Sequence, residues 1–273
     1  MKLGRRLASA FVLLSALAIA LVAGGLAFDV LLGVAVGVGA WEFAGLMRRL
    51  DAEPPAWLLY PLTAWLLFRF LLPAAVPALE IGLGGALVAG VLGTLVRARP
   101  ASRSWLGLAA ALGGALYLGL CGGYYLALMR WHVPDPHREG LRIVWITLTA
   151  AIVGDSAALA VGSAFGRHPF FPRLSPRKTL EGALGSLAGS VAVVTVAAPL
   201  LLGLSPWLAA LLGGVISVAA QGGDLAESAL KRQAGAKDSS GLIPGHGGVL
   251  DRLDSLVLLG PAVYCFLRVV ALP

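Results

Sequence analysis

Charge is scarce in this chain. Only 13% of its 273 residues are Asp, Glu, Lys or Arg, against 58% apolar residues and a mean hydropathy of +0.86. Such a composition excludes a soluble globular body and a solvated disordered one alike. Long polar stretches are missing too, so no sizeable soluble domain fits beside the apolar runs. Cysteine is nearly absent: Cys121 and Cys265 both lie in apolar stretches, which excludes a disulfide framework and a Cys-based zinc site and leaves them as expected buried small hydrophobes. No internal repeat is convincing. What is abundant is Ala, Leu, Gly and Val, the residues of closely packed membrane helices.

At roughly 20 residues per crossing, the chain holds about nine spans with short loops, an all-α polytopic membrane protein. Polar breaks place the spans near Leu7–Phe28, Val30–Met47, Ala56–Ala75, Leu79–Val96, Trp105–Met129, Leu141–Phe165, Ala183–Leu204, Trp207–Leu230 and Leu250–Leu272. Residues 1–273 read as a single membrane domain, with N-terminal scaffold helices over 1–140 and catalytic helices and loops over 141–273. With the N-terminus inside, sixteen of the 21 Lys and Arg residues fall in inner segments, among them Arg97 and Arg99, which favours an N-in, C-out topology. The net charge of +7 is then mainly an inner-face feature, suited to anionic headgroups and nucleotides; nucleic acid need not be invoked. Met1–Arg6 and the following apolar run resemble a secretory signal, with Gly25-Leu26-Ala27 a faint cleavage site, but the run is longer than a signal core and reads as a span.

Ionisable residues inside spans are costly and are functional candidates by default. They are Glu42, Arg69, Asp155, Asp224, Glu227 and Asp254, with Glu80 near a span end. Asp224, Glu227, Ser228 and Lys231 follow an i, i+3, i+4, i+7 spacing, one helix face. Asp251, Asp254 and Ser255 repeat the pattern at the start of the last span, where the helix dipole favours an anion, and the two stripes are expected to face each other. Mg2+ prefers one or two carboxylates plus phosphate oxygens, with Lys and Arg neutralising the remaining phosphate charge. Asp224 and Asp251 are the best candidate ligands. The competing reading makes them salt-bridge partners of Lys231 and Arg252, or makes Asp251 a helix cap. His246 suits phosphate binding, proton donation or a loop hydrogen bond equally. In the other inner-face insertion, residues 166 to 182, Ser175-Pro176 restricts the backbone before Arg177 and Lys178. Thr179 and Glu181 then open the next helix, placing hydroxyl, cation and amide donors where a phosphate can bind. The alternative for that insertion is a positive-inside signal with Phe170 and Phe171 at the interface.

Ser228-x-Leu230-Lys231-Arg232, then Lys237-Asp238, then Ile243-Pro244-x-His246-Gly247-Gly248-Val249-x-Asp251-Arg252-Leu253-Asp254 resembles the C-terminal motif of phosphatidate cytidylyltransferases, also called CDP-diacylglycerol synthases. Gln221-x-Gly223-Asp224-Leu225-x-Glu227-Ser228, Ser175-Pro176-Arg177-Lys178-Thr179-x-Glu181-Gly182 and Asp155-Ser156 resemble that family's upstream segments. The detailed resemblance covers roughly residues 150 to 256; Arg167 and Arg177 stand where relatives more often carry Lys, a change that keeps charge but not geometry.

The resemblance implies a multi-pass inner-membrane enzyme, active on its cytoplasmic face, that joins CTP to phosphatidic acid and releases pyrophosphate. It implies Asp224, Asp251, Lys231 and His246 as catalytic residues. Asp224 and Asp251 would hold Mg2+ or two cations, with Asp155, Glu227 and Asp254 as further ligands or supports. Ser175, Lys178, Thr179, Ser228, Arg232, Lys237, Arg252, Gly247 and Gly248 would meet the phosphates of CTP and phosphatidate, and a homodimer is allowed. A CTP-dependent kinase of polyprenol- or phytol-type alcohols would need the same groups with a hydroxyl acceptor, but the complete run from His246 to Asp254 argues against it. The Asp-Gly multi-aspartate motif expected of CDP-alcohol phosphotransferases is not found. An ion-coupled transporter is the non-enzyme alternative, opposed by the clustering of charge in one half of the chain.

Overall fold

The computed structural model describes residues 2–72, 76–96, 101–131 and 136–271. The predicted span ends Ala75 and Leu272 and the cations Arg97 and Arg99 lie outside the described residues. The helices are α1 (Lys2–Ala23), α2 (Gly25–Arg48), α3 (Ala56–Phe68), α4 (Ala78–Val96), α5 (Ala101–Gly114), α6 (Cys121–Met129), α7 (Pro136–Phe165), α8 (Leu180–Leu202), α9 (Pro206–Gln233), α10 (Leu250–Val257) and α11 (Leu259–Phe266). Among the described residues there is no strand, only isolated bridges pairing Pro169 with Thr179 and Ile243 with Gly247. The chain is an all-α, polytopic membrane protein. Among the described residues, five helical segments are long and apolar enough to cross a bilayer: Gly25–Arg48, Arg103–Met129, Glu139–Phe165, Leu180–Leu202 and Pro206–Gln233. Phe11–Ala23, Ala56–Leu71 and Ala78–Thr94 are apolar but shorter.

The expected boundaries shift where local chemistry overrides the charge pattern. The break between the first two spans, expected at Asp29, falls at Gly24, whose φ of 59° suits glycine; Asp29 is buried inside α2. Arg103–Met129 runs through a π-helical segment at Ala115–Leu120. The expected last span is interrupted at Leu258. Pro261 sits in the first turn of α11, where its missing N–H is not needed, and so favours a new helix start there. Cys265 is exposed and Cys121 half-buried, not buried as expected. The outer surface of a membrane helix faces lipid, so an apolar residue there has no reason to turn inward. The same reason applies to Leu159, Leu200 and Val218, whose exposures of 75%, 79% and 69% would be costly in water.

The chain divides into two compact units, Met1–Leu126 with Leu230–Leu253, and Ala127–Ala229 with Asp254–Pro273. The core of the first unit is leucine on alanine: Leu58, Leu59, Leu62 and Leu66 of α3 pack with Ala86 of α4 and Leu108 and Ala111 of α5. Trp65 Nε1 donates to the Ala78 carbonyl at 2.6 Å and ties α3 to α4. In the second unit α7 and α8 approach through small residues. A Cβ on Gly154 would stand 2.5 Å from Ser190 Oγ, whose hydroxyl donates to the Ala150 carbonyl at 3.0 Å. A polar ladder continues from α8 to α9. Gln221 Nε2 donates to Ser217 Oγ at 3.0 Å and to the Ala183 carbonyl at 3.3 Å, and Ser217 Oγ lies 3.4 Å from Ser186 Oγ.

Candidate active site

In the second unit, a loop sets the edge of a cavity. Phe170 N–H donates to the Lys178 carbonyl and Leu180 N–H to the His168 carbonyl, both at 2.8 Å, closing residues 168–180 on themselves. Within it, Ser175 N–H donates to Phe171 and Lys178 N–H donates back to Ser175, a turn that Pro176 pre-sets. Thr179 caps α8 by accepting from Gly182 N–H at 3.1 Å, a bond worth about 1 kcal/mol. Glu181 accepts from the Arg167 and His168 N–H groups and, at 2.6 Å, meets His168 Nδ1. The loop delivers Lys178 to Asp224 of α9, where its Nζ forms an ion pair with Oδ2; Ser228 Oγ donates to the other oxygen at 3.3 Å.

Asp155, Lys178, Thr179, Gln221 and Asp224 line one cavity of about 400 Å³ together with Ala158, Leu159 and Phe170. Its lining mixes charged and apolar side chains. Glu227 is buried one turn on from Asp224, and Asp254 is half-buried, accepting from Ser255 N–H at 2.6 Å. The α9 backbone at Gly223 comes so close to the Asp254 carbonyl that a Cβ there would collide with it.

In the first unit the residues 239–251 fold around two carboxylates. Ile243-Pro244-Gly245-His246 makes a tight turn: His246 N–H donates to the Ile243 carbonyl at 3.0 Å, with Gly245 at φ 79°, the pattern of a type II turn. Ile243 N–H then donates to the Gly247 carbonyl at 2.8 Å. Asp251 is 5% exposed. Its Oδ1 takes Lys231 Nζ at 2.6 Å, and its Oδ2 takes Ser239 N–H at 2.9 Å, Gly248 N–H at 2.7 Å and Ser239 Oγ at 2.8 Å. This is the salt bridge that the sequence offered as the competing reading. Both oxygens of Asp251 are occupied by the protein, and the Gly248 N–H, expected to meet phosphate, serves the carboxylate.

His246 Nδ1 lies 2.8 Å from Ser9 Oγ of α1. Arg232, Lys237 and Arg252 are exposed, and Ser175 and Ser228 half-buried. Among the described residues no group of three or more His, Cys, Asp or Glu side chains is gathered to hold a metal ion.

A model of the cytidylyltransferase family matches residues 4–270. The chain belongs to the cytidylyltransferase family. It is 42% identical over 130 residues to a phosphatidate cytidylyltransferase of Mycobacterium bovis, 48% of this chain and 42% of that protein. A Mycobacterium tuberculosis protein of the same name is 42% identical over 130 residues, 48% of this chain and 39% of its own. One from Brucella suis is 38% identical over 192 residues, 69% of this chain and 66% of that protein. The match thus spans only about two fifths of the mycobacterial proteins' length.

Sequence reasoning about this cytidylyltransferase-family chain left Glu42 without a role. It is 2% exposed and accepts from Leu250 N–H at 2.6 Å, Val249 N–H at 3.0 Å and the Ser240 hydroxyl at 2.5 Å. Its charge inside an apolar run was a visible signal; Ser239 and Ser240, 197 and 198 residues away, gave none.

Proposed function

We propose that this chain transfers the cytidylyl group of CTP to phosphatidic acid, giving CDP-diacylglycerol and pyrophosphate, in the bacterial inner membrane with its active site on the cytoplasmic face. The observation that carries the reading is the mixed lining of the cavity, which holds Asp155, Asp224 and Lys178 together with Leu159 and Phe170. A substrate with a charged head and an acyl tail needs both surfaces. The names of the relatives and the excess of Lys and Arg in the inner segments support it.

In the transfer, a phosphate oxygen of phosphatidic acid attacks the α-phosphorus of CTP in line. The bond from that phosphorus to the bridging oxygen of the β-phosphate breaks, and pyrophosphate leaves with the electron pair. Little covalent work falls to the protein; positioning and charge neutralisation carry the rate. Lys178 holds an ammonium at the cavity wall, kept there by Asp224 until a phosphate competes for it. Thr179 fixes the start of α8 and with it the adjacent Lys178. Lys231, which the motif resemblance assigns to the reaction, is fixed by Asp251, and Arg232, Lys237 and Arg252 are exposed cations.

The donor set also suits a hard divalent cation. Mg2+ takes one or two carboxylates and completes its shell with water and phosphate oxygens, so a three-carboxylate cage is not required. Asp155 and Asp224 would hold it; Asp251 is committed to Lys231 and Ser239. Bound there, Mg2+ would draw charge from the triphosphate.

The test is the full chain in detergent with phosphatidic acid, labelled CTP and Mg2+, followed for lipid-soluble cytidine and released pyrophosphate. Both products are expected in equal amounts. Phosphorylation of a long-chain alcohol in place of phosphatidic acid, or no CTP-dependent product, would overturn the reading.

A further inference from the structure

Glu42 lies on α2, far along the chain from every residue discussed as reactive, yet its carboxylate is built into the 239–251 loop. Oε1 accepts Val249 N–H at 3.0 Å and the Ser240 hydroxyl at 2.5 Å; Oε2 accepts Leu250 N–H at 2.6 Å, with Ser239 Oγ at 3.2 Å. Val249 directly precedes α10 and Leu250 is its first residue, so two of the donors that a helix start leaves unmet are satisfied by another helix. Val249, at the cap position, has no polar side chain to cap with, and a Cβ on Gly248 would collide with both Glu42 Oε1 and Ser239 Oγ. Ser239 Oγ also reaches Asp251 Oδ2 at 2.8 Å, and its single proton can serve only one of the two carboxylates. Glu42 is therefore one hydroxyl away from the pair that fixes Lys231.

We propose that Glu42 is a positioning residue for the cytidylyl transfer, acting through the 239–251 loop to hold Asp251 and thereby orient Lys231. Its part in transfer rests on the function proposed above; its hold on the loop does not. Each carboxylate oxygen faces one backbone N–H, a group that only donates. A glutamine in either orientation must turn its own NH2 against one of them, so Glu42→Gln breaks the cap while keeping the size. Glu42→Asp keeps both acceptors on a shorter stem.

The full chain in detergent is compared as wild type, Glu42→Gln, Glu42→Asp and Ser240→Ala, with the exposed Glu80→Gln as control. Two readouts are taken: amide hydrogen exchange across 239–251, and kcat and KM with CTP, phosphatidic acid and Mg2+. For Glu42→Gln, exchange at Val249 and Leu250 is expected to rise by about tenfold or more, and kcat to fall by a similar factor, with KM for CTP within about threefold. Glu42→Asp should recover part of the loss, and Glu80→Gln should match wild type. Should Glu42→Gln fail to fold, Ser240→Ala reads the same direction at about threefold.

Unchanged exchange overturns the proposal, and so does faster exchange with wild-type kcat. If the wild type makes no CTP-dependent product, the function proposed above falls and takes Glu42's role in transfer with it. Faster exchange in Glu42→Gln would then still establish the tether.

Discussion

Asp224 and Asp251 each hold a lysine, but their surroundings assign them different work. Asp224 lines an open cavity and has Lys178 and Ser228 as partners, so a neutral amide there disturbs few buried groups. Asp224→Asn is expected to lower turnover at least about a hundredfold while the thermal midpoint in detergent moves little. Near-normal turnover would remove Asp224 from the chemistry. Asp251 is buried and receives two N–H groups, a hydroxyl and an ammonium. Asp251→Asn leaves Lys231, itself only 13% exposed, without its counter-charge, and should lose both turnover and roughly 3–5 kcal/mol of stability. Measuring the midpoint beside the rate separates the two: a stable, inactive Asp251→Asn would make Asp251 a ligand after all.

The helices themselves were largely legible, because apolar length and charge breaks are one-dimensional signals. Failures came where glycine or proline geometry outvoted charge, as at Gly24 rather than Asp29 and at the interruption before Pro261. The one-face spacing from Asp224 to Lys231 could be read for the same reason, whereas the pairings Lys178 with Asp224 and Glu42 with Ser240 depend on tertiary approach that no local period encodes. Gly248 shows what such an approach requires. Gly248→Ala forces a methyl against Glu42 and Ser239, and is expected to lower turnover and stability together, by about 1–3 kcal/mol in the thermal midpoint analysis. A wild-type midpoint would mean the loop has room that the geometry denies it. Thr179→Ala, by contrast, removes one cap from a long helix packed along α7 and should cost only about 1 kcal/mol. A larger fall in turnover than in stability would show that the cap serves Lys178.

Across the whole molecule, a net charge of +7 sits on a body with little other polarity. Basic groups near an anionic leaflet contribute about 1 kcal/mol each and are screened by salt. The chain is therefore expected to unfold at a higher temperature in anionic than in zwitterionic nanodiscs, with the gap closing in molar salt; a gap that salt leaves untouched would point to specific lipid contacts instead. The reach of Glu42 across 197 residues also sets an order of events during synthesis. At roughly 5–20 residues per second, α2 exists for some 10–40 s before Ser239 is made. For that interval the carboxylate lacks the hydroxyls and amides that later surround it, a costly state for a polar group inside a bilayer. Nascent chains released before the loop would retain that orphaned acid inside a membrane helix, a natural mark for proteases that clear unfinished membrane proteins.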